Sequence, residues 1–200
     1  MVSGSRLLEL GPFSSHIAQL AGRPGLSWVG LEGALVCLPA LLRWLSGAVI
    51  VDLETLSRLP RGYDAILAAD TLEHLLDPEK MMAMIHQALP PGGLFLISVP
   101  NVANLWVRLA LLFGRFPYAD RGILDRTHRV FFTRASLDRA LTRAGFAIER
   151  RAVSTLPLPL ILPRLPHPLL VPLLAGLRGL TRLFPTLLGY QLLAAARRPA

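Results

Sequence analysis

Cysteine is nearly absent from this chain, and charged residues are scarce. The 200 residues contain one cysteine, Cys37, which excludes a disulfide framework and leaves no cysteine–histidine spacing typical of a metal site. Charged residues make up only 17% and hydrophobic residues 52%, a composition that excludes a disordered chain. No cationic-then-apolar leader opens the sequence, so we expect a cytoplasmic protein. The sequence therefore predicts a folded domain without a metal site.

The charge is distributed unevenly. Residues 1–107 carry six basic and nine acidic side chains, a net charge of −3, whereas residues 108–200 carry fifteen arginines and four acids, a net charge of +11. A basic half favours an anionic partner, which can be a phosphate-bearing substrate, a membrane surface or a nucleic acid. Arginines that only solvate the surface explain the excess equally well. Nucleic acid is the weakest of these partners because no basic motif with interleaved aromatic residues is present.

Apolar runs alternate with helical patterns through the first 150 residues. Strands are predicted at residues 6–10, 27–31, 48–51, 65–69 and 94–99, and helices at residues 15–21, 35–44, 78–89 and 136–144. Ser136 is predicted to cap the last of these helices. Strand–helix alternation with short connections is typical of an α/β fold whose parallel sheet is covered on both faces.

An acid stands at the end of each of the first four predicted strands. These acids are Glu9, Glu32, Asp52 and Asp70. Open α/β sheets bind ligands at the carboxyl ends of their strands, so we expect the four carboxylates to share one edge. Gly11 lets the first turn approach a ligand closely, and Glu32 follows at about the 20-residue spacing of an acid that takes ribose hydroxyls. The pattern predicts a ligand with ribose hydroxyls, an adenine amine and an amino-acid amine.

One stretch resembles a known family. Residues 63–101, YDAILAADTLEHLLDPEKMMAMIHQALPPGGLFLISVPN, resemble the fourth- and fifth-strand region of class I S-adenosylmethionine-dependent methyltransferases. The shared features are the aromatic–aspartate start, LEHL after the strand, the LPPGG turn and the ISVPN strand end. Residues 114–146 are similar to the continuation in a bacterial subgroup that acts on small molecules or glycans. The resemblance covers residues 5–153 and implies a Rossmann-like seven-stranded sheet, helices on both faces and an antiparallel last strand.

The resemblance implies S-adenosylmethionine as cofactor and gives the first loop its expected role. Gly11 would meet the methionine part of the cofactor, Glu9 would orient its amino group, and Glu32 would accept both ribose hydroxyls. Phe13 and Ser15 stand where the family usually has glycines. The strand-end acids favour a cofactor loop, and the missing glycines indicate a modified one.

The resemblance assigns the rest of the cofactor site to the third and fourth strands. Asp52 would bond the adenine amine, and Leu53 would lie beside the ring. Ala69 and Asp70 would close the pocket below the methionine moiety. Each of these residues follows or ends a predicted strand, as the family's site requires.

Two histidines are candidates for a catalytic base. His74 follows the fourth strand, and His128 lies in LDRTHRVFFT with Asp125, Arg126 and Arg129. A base beside the cofactor would take a proton from an oxygen nucleophile. The alternative for His74 is a helix-start residue bonded to backbone. The alternative for His128 is a salt-bridged loop that anchors the sheet.

Together these expectations predict an enzyme that transfers a methyl group from S-adenosylmethionine to a small-molecule, glycan-precursor or lipid-linked acceptor. The alternative is a degenerate methyltransferase-fold protein that binds a partner, and a nucleic-acid methyltransferase ranks last. We divide the chain into a cofactor-binding core at residues 1–153, a Leu/Pro-rich insertion at residues 154–186, and a final strand and tail at residues 187–200.

The insertion is apolar, but prolines interrupt it, so a membrane span is not expected. A short helix is predicted at residues 173–184, with Arg178, Thr181 and Arg182 on one face and leucines on much of the rest. That pattern suits a cationic helix on an anionic membrane, peripheral at the inner membrane face, and equally a lid or a dimer contact.

Overall fold

The computed structural model describes residues 4–13, 16–21, 25–161, 164 and 166–200. Within them, seven strands form one sheet: β1 (Arg6–Leu10), β2 (Ser27–Glu32), β3 (Gly47–Ile50), β4 (Ala65–Ala69), β5 (Leu94–Pro100), β6 (Ala147–Val153) and β7 (Gln191–Arg197). The helices are α1 (His16–Ala21), α2 (Leu38–Leu41), α3 (Pro78–Ala88), α4 (Leu105–Leu112), α5 (Arg134–Arg143), α6 (Leu158–Ile161), α7 (His167–Leu183) and α8 (Pro185–Leu188). Short 3-10 turns lie at Leu35–Cys37, Leu53–Thr55 and Leu72–His74.

The sheet has the order β3-β2-β1-β4-β5-β7-β6. The first five strands are parallel, and β7 is antiparallel to both β5 and β6. The predicted α/β fold with an antiparallel last strand is therefore confirmed. The strand order reverses between β1 and β4, and ligands of open α/β sheets bind in the crevice at such a reversal.

Both faces of the central strands are buried, which explains their continuous apolar runs. Successive residues of a strand point to opposite faces, so LLEL of β1 and AILAA of β4 supply two cores. The main core joins the sheet to α3 and α5, and its fully buried members include Leu8, Ile66, Phe95, Met82, Ile85 and Leu141. The second core joins the other face to α1 and α2 through Leu7, Ala18, Leu41, Ala65 and Leu67.

Two predicted helices differ from the structure at their ends. The segment 35–44 forms only a 3-10 turn and the one-turn helix α2. Residues 42–44 of that segment are exposed, so little apolar face is available to extend the helix. The helix predicted to begin at Ser136 starts at Arg134, because Thr133 is its N-cap. Ser136 N–H donates to Thr133 Oγ1 at 3.1 Å, and Thr133 N–H donates to Ser136 Oγ at 2.9 Å.

The Leu/Pro-rich insertion connects β6 to β7 and holds α6, α7 and α8. Its two ends are hydrogen-bonded to each other: Tyr190 N–H donates to Ser154 O at 2.8 Å, and Ser154 N–H to Gln191 O at 3.1 Å. The main helix is longer than predicted, spans His167–Leu183 and includes Pro172. Across the described part of the chain, no helix combines the length and hydropathy needed to cross a bilayer.

The sequence predicts that Arg178, Thr181 and Arg182 share a polar face of the insertion helix, and this prediction is wrong for Thr181. Thr181 is buried against the protein, whereas Arg178 and Arg182 are exposed. Thr181 continues an inward row with Leu170, Leu174 and Leu177, spaced by helical turns. Most of the helix's leucines therefore lie on the outside. The sequence pattern could not show this, since it does not reveal which side of a helix meets the sheet.

Candidate active site

The four predicted acids gather at the carboxyl edge of β1–β4. Glu9 pairs with Gly30 in the register of β1 and β2, and Glu32 pairs with Ile50 in that of β2 and β3. Asp52 lies two residues after the end of β3, and Asp70 comes directly after the end of β4. Because these strands are parallel neighbours, the carboxylates form a row beside the order reversal of the sheet.

The first loop lies closely against this edge. Gly11 has a φ of +62°, and a Cβ atom there would lie 2.9 Å from Thr71 Oγ1. The Thr71 hydroxyl in turn donates to Leu10 O at 2.8 Å, so the segment that follows β4 holds the end of β1. Phe13 has a φ of +47° and is 67% exposed, so its side chain points into solvent rather than into the site. Ser15 lies outside the described residues.

A Gly11→Ala substitution tests this close approach. The alanine would need a left-handed backbone and would push against Thr71, so we expect the free energy of unfolding to fall by about 2–3 kcal/mol. Gly114→Ala is the matched control, because Gly114 has a φ of +65° and an added Cβ atom there would have no neighbour within 4 Å. The control should lose only about 1 kcal/mol in urea unfolding. Equal losses in the two variants would contradict the contact with Thr71.

Glu32 joins the first loop to the turn after β2. Its carboxylate is only 7% exposed; Oε2 accepts the Phe13 N–H at 2.8 Å, and Oε1 accepts the Ala34 N–H at 2.9 Å. A carboxylate oxygen has room for a second hydrogen bond, so both oxygens keep the capacity to accept a hydroxyl. The chemistry fits a ribose diol, and the burial means that the loop or the turn has to shift to admit one.

Glu9 is a buried carboxyl on the same edge. Burial raises its pKa to about 7, and the nearby Glu32 carboxylate adds to the rise. Its Oε2 atom has no hydrogen-bond partner among the residues that the structure describes. An unsatisfied buried acceptor of this kind fits an ammonium group, which would restore the charge of the carboxylate.

The third strand end is built around a 3-10 turn. Asp52 is exposed, and its Oδ1 atom accepts the Glu54 N–H at 2.9 Å. The Glu54 carboxylate accepts the Leu76 N–H at 2.7 Å, which ties this turn to the segment after β4. Leu53 packs into the main core with little exposed surface, and its expected place beside the adenine ring stays a prediction. Asp52 is accessible for an amine, and Leu53 offers the site little surface.

The residue after β4, Asp70, has a left-handed backbone conformation. Asp70 has a φ of +52°, which is uncommon outside glycine and clusters at functional sites. Its N–H donates to Ser98 O at 3.0 Å, and its side chain is exposed beside the half-buried Ala69. Surrounding protein atoms remove part of its hydration and raise its pKa, while His128 and His74 act in the opposite direction. Asp70 thus lies between the strand-end acids and the histidines.

The structure brings the two candidate histidines together. The rings of His74 and His128 are 4.8 Å apart at an angle of 68°. Nδ1 of His74 lies 3.3 Å from Thr127 O, and Nδ1 of His128 lies 3.1 Å from Ile123 O. A carbonyl oxygen can only accept, so the neutral rings carry their proton on Nδ1 and present Nε2 as an acceptor. Burial lowers the pKa of His128, which favours this neutral form.

Glu73 is the site residue that sequence reasoning missed. It is 1% exposed, and neither carboxyl oxygen has a hydrogen-bond partner within the described ranges. Burial raises its pKa to about 8, and the Asp70 carboxylate adds to the rise. The one feature of the sequence that could have indicated Glu73 as a site residue is its position next to the candidate base His74. A buried acid in that place is set by tertiary packing, which residue spacing does not report.

Glu73, His74 and His128 form a group that could hold a divalent cation. One ligand atom from each lies within 4.8 Å of the others. The sequence predicted no metal site, because local cysteine and histidine spacing contains no such group and His128 arrives from a distant loop. Carboxylate and imidazole are common ligands of divalent metals. The same three groups can equally serve proton transfer.

The His128 loop is held mainly by hydrogen bonds. The N–H groups of Arg129 and Val130 donate to Glu73 O at 2.7 Å and 3.1 Å. Asp125 accepts the Thr127 hydroxyl at 2.6 Å, and that bond lowers the pKa of the aspartate. Arg126 forms an exposed ion pair with Asp120 at 3.2 Å. The alternative of an anchored loop is therefore correct in part, and the anchor presents His128 to His74.

Two buried asparagines were also missed. Asn101 Nδ2 donates to Thr186 O at 3.0 Å and to Gly189 O at 2.9 Å, and Asn104 Nδ2 donates to Gly189 O at 2.9 Å. These bonds fasten the beginning of α4 to the connection between α8 and β7. Their signal in the sequence was an asparagine directly after β5 and a second one three residues later.

Comparisons with known proteins identify the family of this chain. A family model described as a methyltransferase domain matches residues 2–150. The mitochondrial ubiquinone biosynthesis O-methyltransferase of Rattus norvegicus is 25% identical over 161 residues, which cover 74% of this chain and 46% of that protein. The corresponding enzyme of Xylella fastidiosa strain 9a5c is 27% identical over 157 residues, with 74% and 63% covered. The chain thus spans less than two thirds of each relative.

Solved structures show the same fold. An S-adenosylmethionine-dependent methyltransferase from Mesorhizobium loti superposes with a TM-score of 0.65 at 21% identity, covering 98% of this chain and 92% of that one. A Haloferax volcanii methyltransferase solved in complex with the Trm112 methyltransferase activator gives 0.66 at 16% identity, covering 100% and 84%. The chain belongs to the class I S-adenosylmethionine-dependent methyltransferases. The cofactor of that family is S-adenosylmethionine, as the resemblance implied.

Proposed function

We propose that this chain transfers a methyl group from S-adenosylmethionine to an oxygen atom of a small-molecule acceptor. The observation that carries the proposal is the row of strand-end acids with two facing histidines beside it. S-adenosylmethionine supplies a methyl group on a sulfonium centre. The protein's tasks are then to bind, to align and to remove the acceptor's proton.

The residues of the edge divide into three binding tasks. Glu32 would accept the ribose hydroxyls, and Asp52 would bond the adenine amine. Glu9 would take the amino group through its unsatisfied Oε2 atom. Gly11, Ala69 and Asp70 would border the methionine portion, with Leu53 supporting the turn from the core. Hydrogen bonds to charged groups contribute about 1.5–3 kcal/mol each, so Glu32 should carry the largest share of specificity.

A histidine Nε2 atom would take the proton of the acceptor's hydroxyl. His128 suits this task because its Nδ1 is held by Ile123 O and its lowered pKa keeps the ring neutral at neutral pH. His74 faces it edge-on and can receive or share the proton. An oxygen nucleophile is favoured because a proton must leave it as the new bond forms.

The acceptor class is proposed from the surface near α4 and from the relatives. A cavity of about 590 Å³ lies along α4 and is lined by Leu105, Trp106, Leu109 and Phe113. Apolar walls suit an apolar or lipid-linked small molecule, and the relatives are named O-methyltransferases of ubiquinone biosynthesis. A glycan precursor suits this lining less well. Relatives named as enzymes also favour catalysis over a degenerate, partner-binding role.

Isothermal titration with S-adenosylmethionine tests the cofactor proposal directly. Saturable binding by the folded chain, competed by S-adenosylhomocysteine, is the expected result. Methyl-labelled cofactor then reports transfer to hydroxyl-bearing apolar acceptors in detergent. A folded chain that shows no binding would leave the degenerate, partner-binding role as the better account.

The titration of His128 tests its role independently of any acceptor. We expect NMR of its imidazole protons to give a pKa below the ordinary value of 6.5, because burial disfavours the charged ring. Asp70→Asn should lower the pKa of His128 further, since the Asp70 carboxylate raises it. Asp138→Asn, on α5, is the control and should leave it unchanged. A pKa at or above the ordinary value would remove the argument for a neutral base.

A further inference from the structure

The outward side of α7 is almost entirely apolar. Leu169, Leu173, Leu180 and Leu183 are 59%, 47%, 51% and 72% exposed. Among the residues of α7 whose burial is described, the narrow row of Leu170, Leu174, Leu177 and Thr181 is turned toward the protein, and Thr181 is its one buried member. Monomeric proteins rarely expose a row of large apolar side chains without a function for it. We call this exposed row, together with Arg178 and Arg182, the α7 surface.

Charge distinguishes the kinds of partner that could cover the α7 surface. Residues 150–200 contain seven arginines and no aspartate or glutamate. Arg178 and Arg182 are both exposed, and helical spacing places them on the side of the helix opposite the apolar row. A second copy of the chain would bring its own arginines to the contact with no nearby carboxylate on the insertion to pair with them. An anionic partner would be complementary.

A second apolar helix, α4, is fastened at its start to the end of the insertion. On α4 and the residue after it, Trp106, Leu112 and Phe113 are exposed, with Arg108 and Arg115 also exposed on this segment. The bonds from Asn101 and Asn104 to Gly189 hold the start of α4 to the end of the insertion. Aromatic and leucine side chains with flanking arginines are typical of helices that lie in a membrane interface.

We infer that the α7 surface binds the headgroup region of an anionic lipid bilayer, with α4 as a second contact. Exposed leucines would enter the acyl boundary, and Arg178 and Arg182 would remain at the level of the phosphates. This inference does not depend on the proposed function, because a folded chain without cofactor should bind vesicles equally well. It would, however, bring the edge of the sheet near any acceptor dissolved in the bilayer.

Co-sedimentation with vesicles tests the inference. The wild-type chain should pellet with phosphatidylcholine vesicles that contain phosphatidylglycerol, and remain in solution with phosphatidylcholine alone. Each arginine near an anionic surface contributes about 1 kcal/mol, so Arg178→Gln with Arg182→Gln should weaken binding by about tenfold or more. Leu180→Gln with Leu183→Gln should also abolish most of the binding, and high salt should reduce it.

Arg58→Gln with Arg61→Gln is the matched control, because both arginines are exposed and lie outside the α7 and α4 segments. This variant has the same net charge as the Arg178/Arg182 variant and should bind vesicles like wild type. If the two double variants lose vesicle binding equally, binding follows the overall charge of the protein, and the inference about the α7 surface is wrong. No pelleting of folded wild type, or a dimer dispersed by the leucine variant, would also overturn it. Cofactor titration of every variant separates these outcomes from failure of the proposed function.

Discussion

Glu73→Gln should stabilise the protein at alkaline pH. The carboxyl has a folded-state pKa of about 8 and an unfolded-state value of 4.5, so between these values the folded chain holds a proton that the unfolded chain releases. Stability conferred by the protonated form is therefore present near pH 4.5 and is lost as pH rises to about 8. The interval between these two pKa values corresponds to about 5 kcal/mol, so a neutral amide should gain up to that amount above pH 8 and change stability little near pH 5.

Urea unfolding across this pH range, with a chelator present, measures the effect. Glu79→Gln is the control, since Glu79 is an exposed carboxylate on α3 whose ion pair with Arg143 contributes little. Its pH profile should follow that of wild type. A wild-type stability that does not decline between pH 5 and 8, or a Glu73→Gln chain equally weakened at both ends, would contradict the buried neutral acid.

Glu32→Ala should weaken the binding of S-adenosylmethionine by at least roughly tenfold, and by about a hundredfold or more where both hydroxyl bonds are lost in full. Two hydroxyls bonded to one carboxylate contribute about 1.5–3 kcal/mol each, and about 1.4 kcal/mol is a tenfold change in affinity. The structure adds a second effect. Because Glu32 also accepts the Phe13 and Ala34 N–H groups, its loss leaves two donors unsatisfied and should lower stability by about 2 kcal/mol.

Titration calorimetry and urea unfolding separate the two effects. Glu54→Ala is the matched variant: Glu54 also accepts a backbone N–H, from Leu76, but it is not assigned to the cofactor. It should lose stability and keep its affinity. If Glu32→Ala binds as tightly as wild type, Glu32 does not hold the ribose. If both variants lose affinity alike, the site depends on loop order rather than on the Glu32 carboxylate.

The row of acids could be predicted because its cause is local. A buried parallel strand is readable as an apolar run, and the residue that follows it must lie at the carboxyl edge. Glu32 and Asp70 were found in this way. The histidine pair could not be predicted in this way, since His128 is brought to His74 by tertiary contacts, which include hydrogen bonds from residues 129 and 130 to Glu73 O and the approach of His74 Nδ1 to Thr127 O. No periodicity in the sequence encodes that contact.

The parts that sequence reasoning missed have physical causes of the same kind. Strand β6 has mostly exposed residues and a register shift between Ile148 and Arg150, so it shows no clear alternation. Thr181 belongs to the inward row of α7 although it is polar, and the leucines beside it face outward. Both features depend on how an element is placed on the sheet, which residue type alone does not determine.

The closed base of the insertion has a consequence for how such a chain can diversify. Residues 154 and 190 are hydrogen-bonded neighbours, so everything between them leaves and rejoins the sheet at one point, like the tip of an oversized hairpin. The entropy of closing such a loop grows only slowly with its length. Segments of other lengths and compositions could therefore be exchanged at this point while the paired strands β6 and β7 keep their register. The pairing of the strands constrains the sheet, whereas the insertion can change in sequence and so alter which partner or substrate the protein contacts.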